Sequence, residues 1–414
     1  MSHRARSHGQ SSVRLVYSAV ALALLAGGPS GCSSSPGPEP VRLGLLLSYS
    51  GYLAANSINS ERALLMAVES VNAGGGIGGH PLELVARDTR SDPAKVSQPA
   101  RELVQAGASI IIGPDTVDLV TQLRSVVGDR TLILPSFNTS SDVGFGFKPP
   151  SWFVMGVAAS RVACELVAQL AADKREHPLL IANASGYSSS LSWELTNKYG
   201  MPKYVIAADE ASTGASVQPI ADIKADAYVL AAFPASASSL VYALSIIGGL
   251  PDATRWYLSP TLHTPVFLQF IPEGVLEGAK GVAPGTVAGA SDFRTRFLDR
   301  WQDHPLDEAY AFYDAGLVAA LAMQRALLRE GAIPTGTGLD KHIIAVTASG
   351  GTPVAWDHYD QAVSLLQEGK EVAYVGLSGL IEFDNTGQTP DPRTKWWTIA
   401  GGGFSDVAGQ SNCR

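Results

Sequence analysis

Beyond residue 40 the chain alternates short apolar runs with amphipathic stretches almost without a break. Residues 41–47, VRLGLLL, are largely apolar, the pattern of a parallel strand buried on both faces. A polar loop with Ser48, Ser50, Gly51 and Asn56 follows. Leu64, Ala67, Val68 and Val71 then recur on one helical face. A glycine turn at 74–79 leads into a strand over 81–86. Asp92-Pro93 offers an N-cap residue and a proline at the first helical position of the next helix. Further on, the spacing predicts strands over 109–112, 131–134, 178–182, 204–207, 227–231 and 255–258. Helices are predicted over 116–127, after Ser188, and over a long stretch at 307–330. This alternation predicts an α/β fold, its parallel sheets covered by helices on both faces. No short period recurs, so two similar lobes are expected rather than a solenoid.

The first 31 residues break the pattern and read as an export signal. Arg4, Arg6 and Arg14 form a positive head, and the apolar run at 16–26 is too short to span a bilayer. Gly31-Cys32 is followed by SSSPGPEP. This is the arrangement of a lipoprotein signal, with Cys32 becoming the acylated first residue and 32–40 a flexible tether. Pro29 stands where such signals usually carry leucine, and the alternative is a secretory signal cleaved near Gly31. Ala5 separates Arg4 from Arg6, so there is no twin-arginine signal. No other apolar stretch reads as a membrane span, so the rest is expected outside the cytoplasm, in the periplasm or at the cell surface.

Removing residues 1–31 takes away three arginines and no acids, moving the net charge from -8 to -11. An acidic body without basic clusters argues against a nucleic-acid partner. A chain of 414 residues fits two domains. Cys164 lies in a helical pattern, where a buried, inert thiol is the default. In an oxidising compartment it could pair with Cys413, but sequence does not fix the distance between them.

Several blocks carry a resemblance. They are Leu47-Ser48-Tyr49-Ser50-Gly51, the run from Val71 through Gly79, Asp88 with Ser91-Asp92-Pro93, Gly281 through Gly285, Tyr313-Asp314-Ala315, Tyr374 through Gly379, Phe383 through Gly387, Trp397-Thr398-Ile399 and Gly402-Gly403-Phe404. In order and spacing, over 41–406, they resemble the solute-binding proteins of branched-chain-amino-acid ABC transporters, a group with the type I periplasmic binding protein fold. The resemblance implies two doubly wound lobes joined by three crossings near Met155, Pro284 and Gly376. Lobe 1 would be 41–155 with 285–376, and lobe 2 would be 156–284 with 377–414. It further implies a monomer without cofactor that captures a small polar ligand, an amino acid or related compound, for an ABC permease and its ATPase subunits.

Candidate ligand contacts follow from loops at strand ends, where open α/β sheets hold ligands. In the first lobe these are Ser50, Asp115 and Thr116 in Gly113-Pro114-Asp115-Thr116, and the pair Asn138-Thr139. The resemblance implies that Asn138-Thr139 takes the place of the family's ligand-binding Ala-Thr pair and that the second lobe supplies Tyr187 as an aromatic wall and Thr261, with Phe233 added after the strand over 227–231. A simple helix cap also explains Asp115 and Thr116, and an Asx turn suits Asn138. Relatives carry serine where Val117 stands, and an acidic residue that neutralises the ligand's ammonium where Thr261 stands. Leucine, isoleucine and valine are therefore not the expected ligands; a neutral or differently charged small polar molecule is expected, with Asp115 or Asp118 a candidate receptor for a cationic group.

Enzymatic readings find little support. Gly74–Gly79 matches G-x-G-x-x-G but follows a helix and precedes a strand, the reverse of a dinucleotide site. Gly376-Leu377-Ser378-Gly379 is no nucleophile elbow, and no metal-ligand spacing occurs. Asp303 and Asp307 read as solvated positions, and Tyr313-Asp314 as packing within the first lobe. The remaining rivals are a ligand sensor built on the same lobes and, with less support, an extracytoplasmic hydrolase.

Overall fold

The computed structural model describes residues 37–414 apart from 52, 124, 137–150, 184–186, 207–216, 336, 385, 390–392, 410–412 and 414, and apart from the side chains of Ala55, Tyr187 and Thr337. The signal, Cys32, Asn138 and Thr139 lie outside the described residues.

The first lobe opens with β1 (Val41–Leu47), α1 (Ala54–Ala73), β2 (Leu82–Asp88), α2 (Ser97–Gln105), β3 (Ile110–Ile112), α3 (Val117–Thr121), β4 (Thr131–Leu134) and β5 (Trp152–Val154). Its five strands pair in parallel in the order β2-β1-β3-β4-β5. The two-residue period of a strand explains β1. Leu43, Leu45 and Leu47 join the core under α1, while Leu46 faces the core under α2.

The second lobe contains α4 (Ala159–Ala172), β6 (Pro178–Asn183), α5 (Tyr187–Trp193), β7 (Lys203–Ile206), α6 (Val217–Asp222), β8 (Ala227–Ala231), α7 (Pro234–Ile246), β9 (Trp256–Leu258), α8 (Pro265–Leu268) and β10 (Lys280–Pro284). Here too the central strands are parallel and carry apolar residues on both faces. Ala227, Val229 and Ala231 face one core, and Tyr228 and Leu230 the other.

The chain then returns to the first lobe with α9 (Ala290–Trp301), α10 (Asp307–Glu330), α11 (Thr337–Thr347), β11 (Thr352–Ala355), α12 (Tyr359–Gln367), β12 (Val372–Gly376) and β13 (Gly379–Leu380). Finally β14 (Thr394–Ala400) and β15 (Gly403–Val407) add an antiparallel edge to the second sheet, in the order β15-β14-β10-β9-β8-β6-β7. By length and composition α10 is apolar enough to cross a membrane. It is instead the central helix of the first core, buried from Ala309 to Met323 except Ala311.

Two sequence expectations need correction. The helix expected over 116–127 is α-helical only from Val117 to Thr121 and continues as turns. Its run of β-branched residues (Val117, Val120, Thr121, Val126, Val127) weakens helical continuity, although Leu123 and Val127 remain buried. Asp92 caps a turn rather than a helix: its carboxylate accepts from the Ala94 amide at 2.9 Å, and α2 starts only at Ser97. Residues after Gly376 pack on the first core as well. Leu377, Ile381 and Phe383 belong to the first core, Phe383 packs edge-on against Phe153 at 5.0 Å, and Gln388 bridges to Val154.

Asp314 of α10 fixes the turn after β12. Its buried carboxylate accepts from Tyr374 Oη at 2.8 Å, from the Leu377 and Ser378 amides at 2.8 and 2.9 Å, and from Ser378 Oγ at 2.5 Å. Gly376 makes this approach possible, because a Cβ there would lie 2.5 Å from the carboxylate. Cys164 of α4 is joined to Cys413 by a disulfide, with 5.9 Å between their Cα atoms.

The disulfide closes a loop of 249 residues, so its loss should release considerable chain entropy in the unfolded state. Replacement of Cys413 by serine is expected to cost ~2–5 kcal/mol in denaturant unfolding. Identical unfolding midpoints with and without reductant would show that the bond contributes nothing.

Candidate functional site

Parallel strands carry their carboxyl-end loops to one edge of each sheet, and these loops are where the candidate residues sit. In the first lobe, Ser48–Gly51 follow β1, Gly113–Thr116 follow β3 and Ser136 follows β4. In the second, Tyr187 opens α5 after β6, Phe233 follows β8, and Ser259–His263 follow β9.

Ser50 is exposed, and its Oγ donates to Asp88 Oδ2 at 2.7 Å. The other oxygen of Asp88 accepts from the amides of Tyr49, Ser50 and Arg90 at 2.9, 3.3 and 2.7 Å. The hydroxyl of Ser50 therefore shapes its own loop and offers a ligand only its lone pairs. Burial pushes the Asp88 carboxyl up, but these hydrogen bonds together hold it below its ordinary value.

Asp115 is buried and accepts from the Ser48 amide at 3.2 Å and from Ser48 Oγ at 3.0 Å. Because Ser48 gives its only proton to Asp115, Thr89 Oγ1, 2.6 Å away, must be the donor to Ser48. Burial pushes the Asp115 carboxyl up to about 6, against hydrogen bonds from Ser48 and Ser57. Gly113 permits this loop: its φ is +91°, and a Cβ would lie 2.1 Å from the Leu46 carbonyl oxygen. Thr116 is the extended residue before α3. Its Oγ1 is buried without a hydrogen-bond partner among the described residues.

On the second lobe, Phe233 is buried and its amide donates to Asn183 Oδ1 at 2.7 Å. Thr261 Oγ1 donates to the Ala232 carbonyl at 2.8 Å and lies 2.7 Å from Ser259 Oγ. That hydroxyl ties the loops after β8 and β9 together. Ser188, beside Tyr187, carries another buried hydroxyl without a partner among the described residues.

A group that sequence reasoning missed joins the two sets of loops. Glu308, at the start of α10, is buried and accepts from Ser136 Oγ. Burial pushes its carboxyl up to about 8; the Ser136 hydroxyl opposes this, and the charges of Asp115 and Asp307 add to it. Asp307 is not solvated as its sequence context suggests. Its side chain is 8% exposed and meets His263 Nδ1 and Lys395 Nζ, the latter at 3.3 Å. Burial pushes the Asp307 carboxyl up, yet His263 and Lys395 bring it below its ordinary value. Two acids in the first turn of an apolar helix are common partners of the helix dipole, so nothing in the sequence marked these two as special.

Two α/β lobes with polar loops at the carboxyl ends of their parallel strands, the first carrying buried, protonatable acids, are the arrangement of a binding protein of the type I periplasmic fold. Comparison with known proteins agrees. Residues 40–361 match the family described as periplasmic binding protein. The chain is 25% identical, over 83% of its length and 84% of the relative's, to the chemotactic signal transduction system substrate-binding protein BasB of Halobacterium salinarum. Among solved structures, the branched-chain amino acid substrate-binding protein LivJ of Streptococcus pneumoniae with isoleucine is similar at TM-score 0.70 and 18% identity, covering 89% of this chain and 99% of that one. A Rhodopseudomonas palustris ABC-transporter solute-binding protein in complex with benzoate is similar at TM-score 0.70 and 16% identity, covering 90% and 96%. The chain belongs to the periplasmic binding protein family, whose members are extracytoplasmic binding proteins of small ligands rather than enzymes.

Asp115 and Glu308 keep a proton in the folded state at pH values where the unfolded chain has lost it. Their contribution to stability is therefore full below about pH 4 and declines as pH rises through about 6 for Asp115 and about 8 for Glu308. Thermal unfolding of ligand-stripped protein across pH 5–9 should show this decline, and Glu308→Gln should abolish the part above pH 6. Parallel curves for the two proteins would refute the assignment.

Proposed function

We propose that this chain is the solute-binding component of an ABC importer, taking up a small polar ligand between its lobes and delivering it to a permease with its ATPase subunits. The lobes are taken as 41–155 with 285–389 and 156–284 with the chain from Thr394. They close about the crossings, and contacts made with both lobes at once favour the closed state. Ser50, Asp115, Thr116, Asn138 and Thr139 contribute from the first lobe, and Tyr187, Phe233 and Thr261 from the second. The observation that carries this reading is the buried Thr116 hydroxyl, without a hydrogen-bond partner among the described residues, beside an Asp115 whose hydrogen-bond donors there are amides and hydroxyls rather than cations. A polar atom supplied by a ligand would complete both.

The ligand is proposed to be neither leucine, isoleucine nor valine. Thr261 stands where relatives place an acid, and its hydroxyl is already engaged with Ala232. A buried ammonium there would cost several kcal/mol. A cationic group received by Asp115 and Glu308, or by Asp118, fits the charges better. That a protein of similar fold holds benzoate supports a wide range of ligands on this scaffold. A sensing role is the second reading, favoured by the likeness to BasB, a chemotactic signal transduction protein. Mass spectrometry of protein purified without refolding identifies the solute, and calorimetry on stripped protein then tests the class. Micromolar or tighter binding of a branched-chain amino acid would sink the proposed ligand class.

Cys32 is proposed to carry the lipid that holds the chain at the membrane, with a monomer projecting on the tether. Wild type should fractionate with membranes, and Cys32→Ser should appear in the soluble extracytoplasmic fraction. A soluble wild type would favour the secretory reading that Pro29 allows.

A further inference from the structure

Asp307 belongs to the first lobe by its helix, yet both of its carboxylate oxygens are taken by the second. One meets His263 Nδ1, in the loop after β9, and the other lies 3.3 Å from Lys395 Nζ on β14. The three side chains are 8%, 13% and 25% exposed, so water screens the pairs weakly. The imidazole is fixed in place, stacked on Trp397 at 4.9 Å and against the edge of Phe404 at 4.6 Å. A cavity of about 390 Å³ adjoins them, lined from the first lobe by Arg294 and Tyr310 and from the second by Lys395 and Asp406. Lys395 also lies 3.7 Å from Asp406. None of these groups is among the proposed ligand contacts.

We propose that Asp307, His263 and Lys395 form a latch that holds the two lobes together at the rim of the cleft whether or not a ligand is present. The amino terminus of α10 supplies the positive end of the helix dipole to Asp307, and the second lobe supplies the Lys395 ammonium and the His263 ring nitrogen. Glu308 follows Asp307 directly and accepts from Ser136 beside the first-lobe ligand loops. One helical turn therefore touches the ligand side and the latch. The inference rests on the closing of two lobes and not on which ligand is carried or where it is delivered.

Small-angle scattering of the ligand-stripped mature chain tests this without any ligand. Breaking a buried, hydrogen-bonded charge pair between two surfaces is worth more than a tenfold change in their association. Asp307→Asn should thus raise the open population at least about tenfold and enlarge the radius of gyration. Lys395→Met should act in the same direction but less, and the double variant should open no further than Asp307→Asn alone. Circular dichroism confirms that each variant is folded. If Asp307→Asn does not fold, Lys395→Met alone decides, since it leaves Asp307 paired with His263. Folded variants that scatter as wild type does would overturn the latch. The ligand-binding reading would be untouched by that result, because its own test is solute identification.

Discussion

A carboxylate removed from water must recover its lost solvation from donors or cations, or else take up a proton. The first lobe meets this constraint in three ways along one helix and the loops beside it. Asp314 is saturated by two amides and two hydroxyls, and its charge does structural duty at the turn after β12. Asp307 is matched by His263 and Lys395 from the other lobe. Glu308, with a hydroxyl beside it and two acids nearby, is pushed towards its protonated form. The first is a device of folding, the second joins two elements across the lobes, and the third is relieved by protonation rather than by a cation.

The same contrast explains what was legible in the sequence. The strand at 41–47 and the helix at 307–330 could be read because burial on both faces, or along a whole helix, leaves a long apolar pattern. The resemblance carried the order of the lobes, since turns such as Gly74–Gly79 and Gly376 are required by backbone geometry. The failures share a physical cause. Leu123 and Val127 are buried although the helix stops at Thr121, so the apolar pattern of 117–127 did not require a helix. Phe383 likewise meets Phe153 on the first core, a contact between residues remote in sequence that no local pattern announces.

The candidate site was legible only in part for a related reason. Loop residues such as Asp115, Thr116 and Thr261 could be nominated from their place after strands. The direction of their hydrogen bonds could not. Thr261 donates to Ala232 and Ser50 to Asp88, so two nominated hydroxyls already have structural work. Asp307 and Glu308 looked like ordinary helix-start acids, because charge that is buried by a distant lobe leaves no local mark. His263 and Lys395 are separated from Asp307 by 44 and 88 positions in the chain, and no local spacing connects them.

These features bear on how such a protein divides its binding free energy. If closure depended on ligand contacts alone, every ligand would have to supply the whole free energy of bringing the lobes together. Interlobe contacts that exist without the ligand reduce that demand. They leave more of the ligand's interaction energy visible as affinity, while making entry dependent on opening. The first turn of α10 is well placed to set this balance. Asp307 contributes to the junction itself, and its neighbour Glu308 reaches Ser136 at the ligand loops. A cation beside Glu308 would favour its ionised form, and the extra negative charge would in turn strengthen the pull on His263 and Lys395. Ligand charge and lobe closure would then be linked through two consecutive acids rather than through a long path of side chains.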